Sequence, residues 1–172
     1  MPVQRLNHIV LYVSDARRTA KFYTDVLDFK TLSEVANGKA IFMRAPGSTN
    51  DHDLGLFQLG PNARPSEAGR STVGLYHMAW EVDTLAELER IAALLSDRGA
   101  LVGASDHGTT KALYAKDPDG LEFEVSWLLP ADSIIESDRK VTHPLPLDLG
   151  KEKARFGADT PGGVGVSTPA RV

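Results

Sequence analysis

The residues of this chain that could perform chemistry at neutral pH are few. It contains five histidines and no cysteine, so thiolate metal sites, disulfides and cysteine nucleophiles are excluded. A metal ion would therefore need His, Asp or Glu ligands. His8 and His77 lie in apolar, β-branched stretches, and residues 121–127 (LEFEVSW) place Glu122 and Glu124 on one face of a predicted strand. Two histidines and one carboxylate form a set that holds Fe(II) or Mn(II) with open coordination positions, and that zinc also tolerates.

An internal repeat relates the two histidines. His77 follows His8 by 69 residues, and in both copies a valine comes five residues after the histidine. By itself, a histidine in an apolar strand is more often a hydrogen-bonded core residue than a ligand. Equivalent positions of two repeats can converge about a pseudo-twofold axis, however, so the repeat favours a shared site for both. The alternative for Glu122 and Glu124 is an edge strand with one solvated face.

Each copy of the repeat is predicted to fold as a strand, a helix and three further strands. In the first copy the strand covers residues 6–13, and Ser14-Asp15 suit the cap of a helix over Ala16–Leu27. The apolar residues of this helix recur at spacings of four, three and four. Asn37-Gly38 is typical of a hairpin turn. The three further strands are predicted at residues 31–35, 40–44 and 53–59.

The second copy repeats this plan. Its first strand is predicted at residues 74–82, and Thr84 with Glu87 forms a capping-box pair at the start of a helix. The apolar stripe of that helix ends near Gly99. The three further strands are predicted at residues 101–104, 111–115 and 121–127.

Two segments lie outside the repeats. Residues 60–72 are rich in Pro, Gly and polar residues and are predicted to be a linker. After Pro130, prolines and glycines interrupt any long element, so residues 131–172 are predicted to form a tail. We expect this tail to be loop, partly disordered, or draped over a neighbouring subunit.

The charge balance limits the partners that we expect. The chain has 19 Lys and Arg against 23 Asp and Glu, a formal net charge of -4, and therefore no broad basic field for nucleic acid or an anionic membrane. No apolar run approaches the roughly 20 residues of a membrane span, and the N-terminus lacks the plan of a signal peptide. We predict a cytoplasmic, globular protein with a small-molecule partner.

The sequence resembles the vicinal oxygen chelate superfamily of glyoxalases, bleomycin and fosfomycin resistance proteins, and type I extradiol ring-cleaving dioxygenases. The resemblance runs from about Leu6 to Leu128, on the stretches HIVLYV, FYTDVLDF, YHMAWEV and ALYAKDPDGLEFEV. It implies one α+β domain over residues 1–130, in which two βαβββ modules (about 4–60 and 73–130) form a curved, cup-like mixed β-sheet around a metal site. The family turn DPDG with a Glu four residues after its glycine selects Glu124 as ligand. Leu121 follows the glycine of this turn, at a position where Asn is common in the family.

Three further residues point to the extradiol dioxygenases within the superfamily. The resemblance places His52, in DHDLGLFQL, just before the last strand of the first module, and His107 in the loop before the penultimate strand. Tyr114 lies ten residues before Glu124, as in the same family pattern. Gln58 is the polar side chain near the position at which metal glyoxalases place an additional glutamate ligand, which weakens the glyoxalase interpretation.

The resemblance implies an Fe(II)-dependent extradiol dioxygenase, with Mn(II) as a possible metal, that cleaves a catechol-type ring with O2. His8, His77 and Glu124 would be the metal ligands, and His52 the acid-base residue. Tyr114 and His107 would hydrogen-bond the substrate oxygens. A homodimer or larger homo-oligomer is expected. The alternative is a metal-dependent glyoxalase-like lyase or isomerase, or a drug-binding resistance protein, of the same superfamily.

Overall fold

The computed structural model describes Val3 and residues 5–163. The contacts divide the chain into two compact units. The first contains the described residues up to Glu67 together with Asp117–Leu121, and the second contains the other described residues. The end of the predicted tail, residues 164–172, lies outside the described residues. None of the helices in the described part of the chain has the length and apolar character that a membrane crossing requires.

The first unit contains one helix and a four-stranded sheet with the order β1-β4-β3-β2. Strand β1 runs parallel to β4, and the other two pairings are antiparallel. The elements are β1 (Ile9–Val13), α1 (Ala16–Leu27), β2 (Lys30–Val35), β3 (Ala40–Arg44) and β4 (Leu54–Gln58).

Helix α1 begins and ends where local chemistry requires. The carboxylate of Asp15 accepts hydrogen bonds from the backbone N–H groups of Arg17 and Arg18, and Asp28 ends the helix with a φ of 57°. One face of the helix is buried, including Tyr23 and Val26, which have no exposed surface. Each such side chain contributes about 1.5–3 kcal/mol relative to exposure, so packing of this face holds the helix on its sheet.

The second unit has the same order of elements. Its five-stranded sheet has the order β5-β8-β7-β6-β9, in which β9 is the short strand Leu145–Pro146, and β5 runs parallel to β8 as β1 does to β4. The predicted α+β class and the βαβββ order of each module are therefore confirmed. The Thr84 hydroxyl accepts from the Glu87 N–H and caps the second helix. The elements of this module are β5 (His77–Glu81), α2 (Leu85–Asp97), β6 (Leu101–Asp106), β7 (Thr110–Lys116) and β8 (Glu122–Leu128).

The first strand of each module begins later than predicted. His8 immediately precedes β1, and His77 is the first residue of β5, whereas both were expected in the middle of a strand. Apolar residues continue toward the N-terminus in both stretches, but the ladder of backbone hydrogen bonds does not. Each histidine therefore lies at the end of a strand, where its side chain is less enclosed.

The residues after Pro130 differ from the predicted loop as far as Gly163. They contain a 3-10 turn (Ala131–Ser133), helix α3 (Glu136–Arg139), strand β9 (Leu145–Pro146) and helix α4 (Leu149–Phe156). Strand β9 extends the second sheet by pairing with β6. Asp148 caps α4 by accepting from the Lys151 N–H. Pro144, Pro161, Gly162 and Gly163 lie outside these elements, whereas Pro146 lies within β9 and Gly150 within α4. The prolines and glycines of the segment therefore do not exclude short regular elements.

The DPDG turn at Asp117–Leu121 is closed by its own first side chain. Oδ1 of Asp117 accepts hydrogen bonds from the N–H groups of Asp119 and Leu121, and Gly120 supplies a φ of 79°. The Asp119 carboxylate accepts from the Ser14 N–H, and it forms an ion pair with Arg18. Because Leu121 contributes through its backbone N–H, the turn forms without the Asn that is common at that position.

Asp117 is the strongly shifted carboxyl of this turn. Burial raises its pKa from 3.8 to about 6, against the lowering effect of the hydrogen bonds from Leu121 and Asp119. Its Oδ2 is buried and has no hydrogen-bond partner among the described residues. The folded state therefore binds this proton more tightly than the unfolded state does.

We predict that ionisation of Asp117 destabilises the fold as pH rises. Because the folded-state pKa is raised to about 6, its stabilising contribution is complete below the unfolded value and is lost as pH rises through about 6, by about 3 kcal/mol at most. Asp117→Asn keeps the acceptor for the turn and removes the titration. Urea unfolding of both proteins between pH 4 and 7 measures the difference. Parallel pH profiles for the two proteins would refute the assignment.

Candidate metal site and active-site residues

His77 and Glu124 lie on neighbouring strands of the second unit. In the parallel pair β5–β8, His77 is opposite Glu122 and Ala79 is opposite Glu124, so His77 reaches diagonally to Glu124. Nε2 of His77 lies 3.3 Å from Oε2 of Glu124. The two side chains are 27% and 13% exposed, so the pair is accessible to a small ligand without being fully solvated.

This pair has the donor atoms and the spacing for one cation. Two neighbouring ligands of an octahedral ion, each about 2.1 Å from it, lie about 3 Å apart. The observed 3.3 Å between Nε2 and Oε2 is close to that value. Nδ1 of His77 is buried and has no hydrogen-bond partner among the described residues.

Tyr114 connects this pair to His107. In the antiparallel pair β7–β8, Tyr114 is directly opposite Glu124. A hydrogen bond of 2.9 Å joins the Tyr114 hydroxyl to Nε2 of His107, and the ring centroids of His77 and Tyr114 lie 5.8 Å apart. Four of the six predicted site residues, His77, Glu124, Tyr114 and His107, therefore form one continuous group within the second unit.

The electrostatics of this group favour a neutral Tyr114. Burial raises the pKa of Tyr114, and the negative charge of Glu124 raises it further, as do its neighbour Tyr76 and a hydrogen bond with Glu124. Glu122 makes the smallest of these contributions. At neutral pH Tyr114 is therefore a phenol that can donate its proton in a hydrogen bond.

His8 and His52 lie against each other in the first unit. Their ring centroids are 4.5 Å apart. Nδ1 of His52 lies 3.1 Å from Oδ2 of Asp51, and the His52 ring packs edge-on against Phe42 at 5.1 Å. Asp51 directly precedes His52 in the sequence, so their contact could have been suspected, whereas the ring contact with Phe42 depends on strand pairing.

Asp53 fixes the loop that carries His52. Its carboxylate is buried and accepts hydrogen bonds from the Ala45 N–H, the Ser48 hydroxyl and the Asn50 side-chain amide. Its backbone oxygen accepts from the N–H of Ile9, the residue after His8. Asp53 therefore holds the loop end next to the start of β1.

The register also shows what the first unit has in place of Glu124 and Tyr114. Gly55 lies between Val10 and Phe42 as Glu124 lies between Ala79 and Tyr114. The equivalent positions are thus a glycine and a phenylalanine. A Cβ at Gly55 would lie 3.3 Å from Val10 Cγ2 and 3.6 Å from Phe42 Cε1, so these side chains fill the space.

The six predicted site residues thus fall into two groups, one in each unit. Within neither unit, for the residues that the structure describes, do three or more His, Cys, Asp or Glu side chains gather in a way that could hold a metal ion. The three-ligand set of His8, His77 and Glu124 stays a prediction. His143 is exposed and contacts the neighbouring Thr142.

We predict that Glu124→Gln lowers the pKa of Tyr114 in metal-free protein, because the substitution removes the adjacent negative charge. Absorbance near 295 nm follows the titration, with Tyr114→Phe protein identifying the transition. Glu122→Gln is the control, since the Glu122 charge has the smaller effect. An equal shift in both glutamine variants would contradict the arrangement described here.

The whole two-module region matches a known family. The model described as Glyoxalase/Bleomycin resistance protein/Dioxygenase superfamily matches residues 5–125. The catechol-2,3-dioxygenase of Bacillus subtilis (strain 168) is 28% identical over 127 residues, which cover 70% of this chain and 40% of that protein. Biphenyl-2,3-diol 1,2-dioxygenase 3 of Rhodococcus globerulus is 32% identical over 117 residues, covering 67% of this chain and 59% of that protein.

The fold agrees with these matches. The crystal structure of a glyoxalase/dioxygenase from Nostoc punctiforme superposes with a TM-score of 0.60 at 23% identity, over 72% of this chain and 90% of that chain. The present chain spans less than two thirds of the length of the two dioxygenases to which it is similar. The match therefore does not assign their complete activities to this chain. From the extent of the family match, we conclude that the chain belongs to the glyoxalase, bleomycin resistance protein and dioxygenase superfamily.

Proposed function

We propose that the protein is an Fe(II)-dependent extradiol dioxygenase that cleaves a catechol-type aromatic with O2. The observation that carries this proposal is the continuous group His107, Tyr114, Glu124 and His77 on one sheet. It combines metal-ligand donors with two hydrogen-bonding groups that could face the oxygens of a diol. Two relatives whose names describe dioxygenases on aromatic diols support the same reaction class.

The proposed ligands are His8, His77 and Glu124. Bound iron would supply Lewis acidity and a path for electrons between substrate and O2. Among the residues of the chain, His77 and Glu124 present adjacent nitrogen and oxygen donors, which suit Fe(II) and Mn(II). Tyr114, kept neutral by burial and by Glu124, would donate a hydrogen bond to a substrate oxygen, with His107 holding its hydroxyl in place.

His52 is the proposed acid-base residue. An imidazole changes protonation near neutral pH, and a carboxylate on one ring nitrogen orients the ring for proton transfer at the other. Nδ1 of His52 lies 3.1 Å from Asp51, which leaves Nε2 for substrate or O2-derived species. The His52 side chain is 18% exposed, so a small molecule can reach it.

The first sheet offers an apolar face for an aromatic ring. From His8 the ring contacts continue through His52 at 4.5 Å, Phe42 at 5.1 Å, Phe57 at 5.9 Å and Tyr12 at 6.5 Å. Tyr12 is 72% exposed and Phe57 is 36% exposed. Such a row of partly exposed rings suits a flat, apolar ligand better than a charged one.

The competing proposal is a metal-dependent lyase or isomerase of the same superfamily. Such an enzyme would use the metal only as a Lewis acid and could retain His77 and Glu124. Gly55 occupies the position in the first unit that is equivalent to Glu124, so no carboxylate is present there. A site with a fourth protein ligand, such as the additional glutamate of the metal glyoxalases, is therefore less suitable here. A cytoplasmic location and a homodimer or larger assembly stay predictions.

We expect the protein, reconstituted anaerobically with Fe(II), to consume O2 when a catechol is added and to form a yellow ring-opened product. An oxygen electrode and visible absorbance measure the two together over a panel of catechols. Metal analysis of the protein as purified distinguishes the proposals, since Fe or Mn supports the dioxygenase and Zn or Ni supports the lyase. No O2 uptake with any catechol would count against the dioxygenase.

His52→Ala and His77→Ala should fail for different reasons. His52→Ala removes proton transfer and should keep its metal while losing about 100-fold or more in kcat. His77→Ala removes a ligand and should lose metal as well as turnover. Metal content per chain and kcat separate the two cases. His143→Ala, an exposed histidine, is the control and should match the wild type. Normal turnover by His52→Ala would exclude the acid-base role.

A further inference from the structure

Lys111 is a buried charge that the proposed reaction does not use. It lies on β7, and its side chain is only 1% exposed. Its ammonium lies 2.5 Å from Oδ1 of Asp106 and 3.1 Å from Oε2 of Glu152 on α4. The contact with Glu152 lacks hydrogen-bond geometry and is an ion pair. Side chains alternate along a strand, so Lys111 faces away from the side that carries Tyr114.

The same cluster holds the turn that carries His107. Oδ1 of Asp106 accepts a hydrogen bond of 2.7 Å from the Gly108 N–H in addition to that from Lys111. The His107 N–H donates to the Thr110 carbonyl at 2.9 Å. Asp106 therefore fixes the backbone directly after His107, and Lys111 with Glu152 fixes Asp106.

The C-terminal segment closes around this turn from a second direction. Gly108 has a φ of 81°, and a Cβ there would collide with the backbone oxygen of Asp138 on α3. The Asp138 carboxylate accepts two hydrogen bonds of 2.7 Å from Arg155 on α4. Strand β9 pairs at Leu145 with Asp106. Three elements that follow Pro130 thus contact the turn or the residues that hold it.

We propose that Lys111, with Asp106 and Glu152, is a positioning residue that sets where His107 presents Nε2 to Tyr114. The C-terminal segment as far as α4 would then be part of the active-site framework of the second unit. A buried ion cluster is costly, and apolar residues of similar size are often as stabilising. A role in positioning accounts for the charges in a way that stability alone does not. The catalytic part of this inference rests on the proposed dioxygenase function.

The first test needs no metal and no activity. A triple variant, Lys111→Met with Asp106→Asn and Glu152→Gln, removes the charges together and leaves no buried ion unpaired. At one fixed pH, the ¹⁵N shift of Nε2 of His107 should move in the direction seen in Tyr114→Phe, where the hydrogen bond is lost. Lys153→Met is the matched control, because it removes the ion pair of α4 with Glu89 on α2 without touching the turn. An unchanged His107 resonance in the triple variant would overturn the proposal.

The second test measures turnover in the iron-loaded enzyme. We expect the triple variant to lose about tenfold or more in kcat with a smaller change in KM, since a misplacement of about 1 Å can cost about 100-fold. Adding His107→Ala to the triple variant should cause little further loss, because both changes act through the same group. Additive losses would overturn the proposal. If the wild type shows no dioxygenase activity while the triple variant still shifts the His107 resonance, the dioxygenase proposal is refuted and the positioning role stands.

Glu152→Gln alone covers the case in which the triple variant does not fold. It keeps the volume of the side chain and removes one charge from Lys111. We expect a smaller shift of the His107 resonance in the same direction, with thermal unfolding no lower than in Lys153→Met. If Glu152→Gln lowers the unfolding temperature and leaves the His107 resonance unchanged, the cluster serves stability only and the positioning role is wrong.

Discussion

Each sheet packs its large, fully buried apolar side chains on one face, and the rest of the molecule depends on this constraint. In the first unit, α1 lies on the face that carries Leu54, Leu56 and Ile41, and these side chains are at most 1% exposed. The opposite face carries Val10 and Phe57, which stay partly exposed. Because strand side chains alternate, every second residue of these strands is free from the demands of the core. In the second unit, the site residues Tyr114 and Glu124 belong to the corresponding set.

The second unit uses the same freedom differently. Phe123 and Val125 of β8 are fully buried, whereas Glu122 and Glu124, between and beside them, are only partly buried. The equivalent of Glu124 in the first unit is Gly55. A single backbone plan thus carries an apolar, aromatic face in one copy and a polar, ionisable face in the other. The two copies can differ in this way because the site-bearing face does not carry the large apolar side chains of the core.

Much of the fold and part of the site follow from local patterns in the sequence. Helix α1 and strand β3 have their predicted bounds, because Asp15 caps the helix and the spacing of apolar residues differs clearly between the two elements. Tyr114 opposite Glu124 also follows from an antiparallel pair folded about the DPDG turn. The register of a short hairpin depends on its turn, and here the turn is unmistakable.

Other parts could not be predicted, for identifiable reasons. Strand starts at His8 and His77 depend on where backbone pairing stops, and the apolar pattern runs past that point. The burial of Lys111 does not follow from the sequence, because a charged residue in a strand is usually assigned to the surface. Its partner Glu152 lies 41 positions away, in a segment whose prolines predict a loop. Long-range pairing of charges leaves no local signal.

Strand β9 has a consequence for association with other chains. It pairs with β6, forms one edge of the second sheet and ends in Pro146, which has no N–H to offer to a further strand. An incoming strand therefore finds an interrupted ladder at this edge. Strand β2, one of the two outer strands of the first sheet, is protected by other means, since it carries Lys30 and Glu34 and is irregular between Thr31 and Ser33. The edges formed by β9 and β2 thus discourage the edge-to-edge growth through which open sheets aggregate.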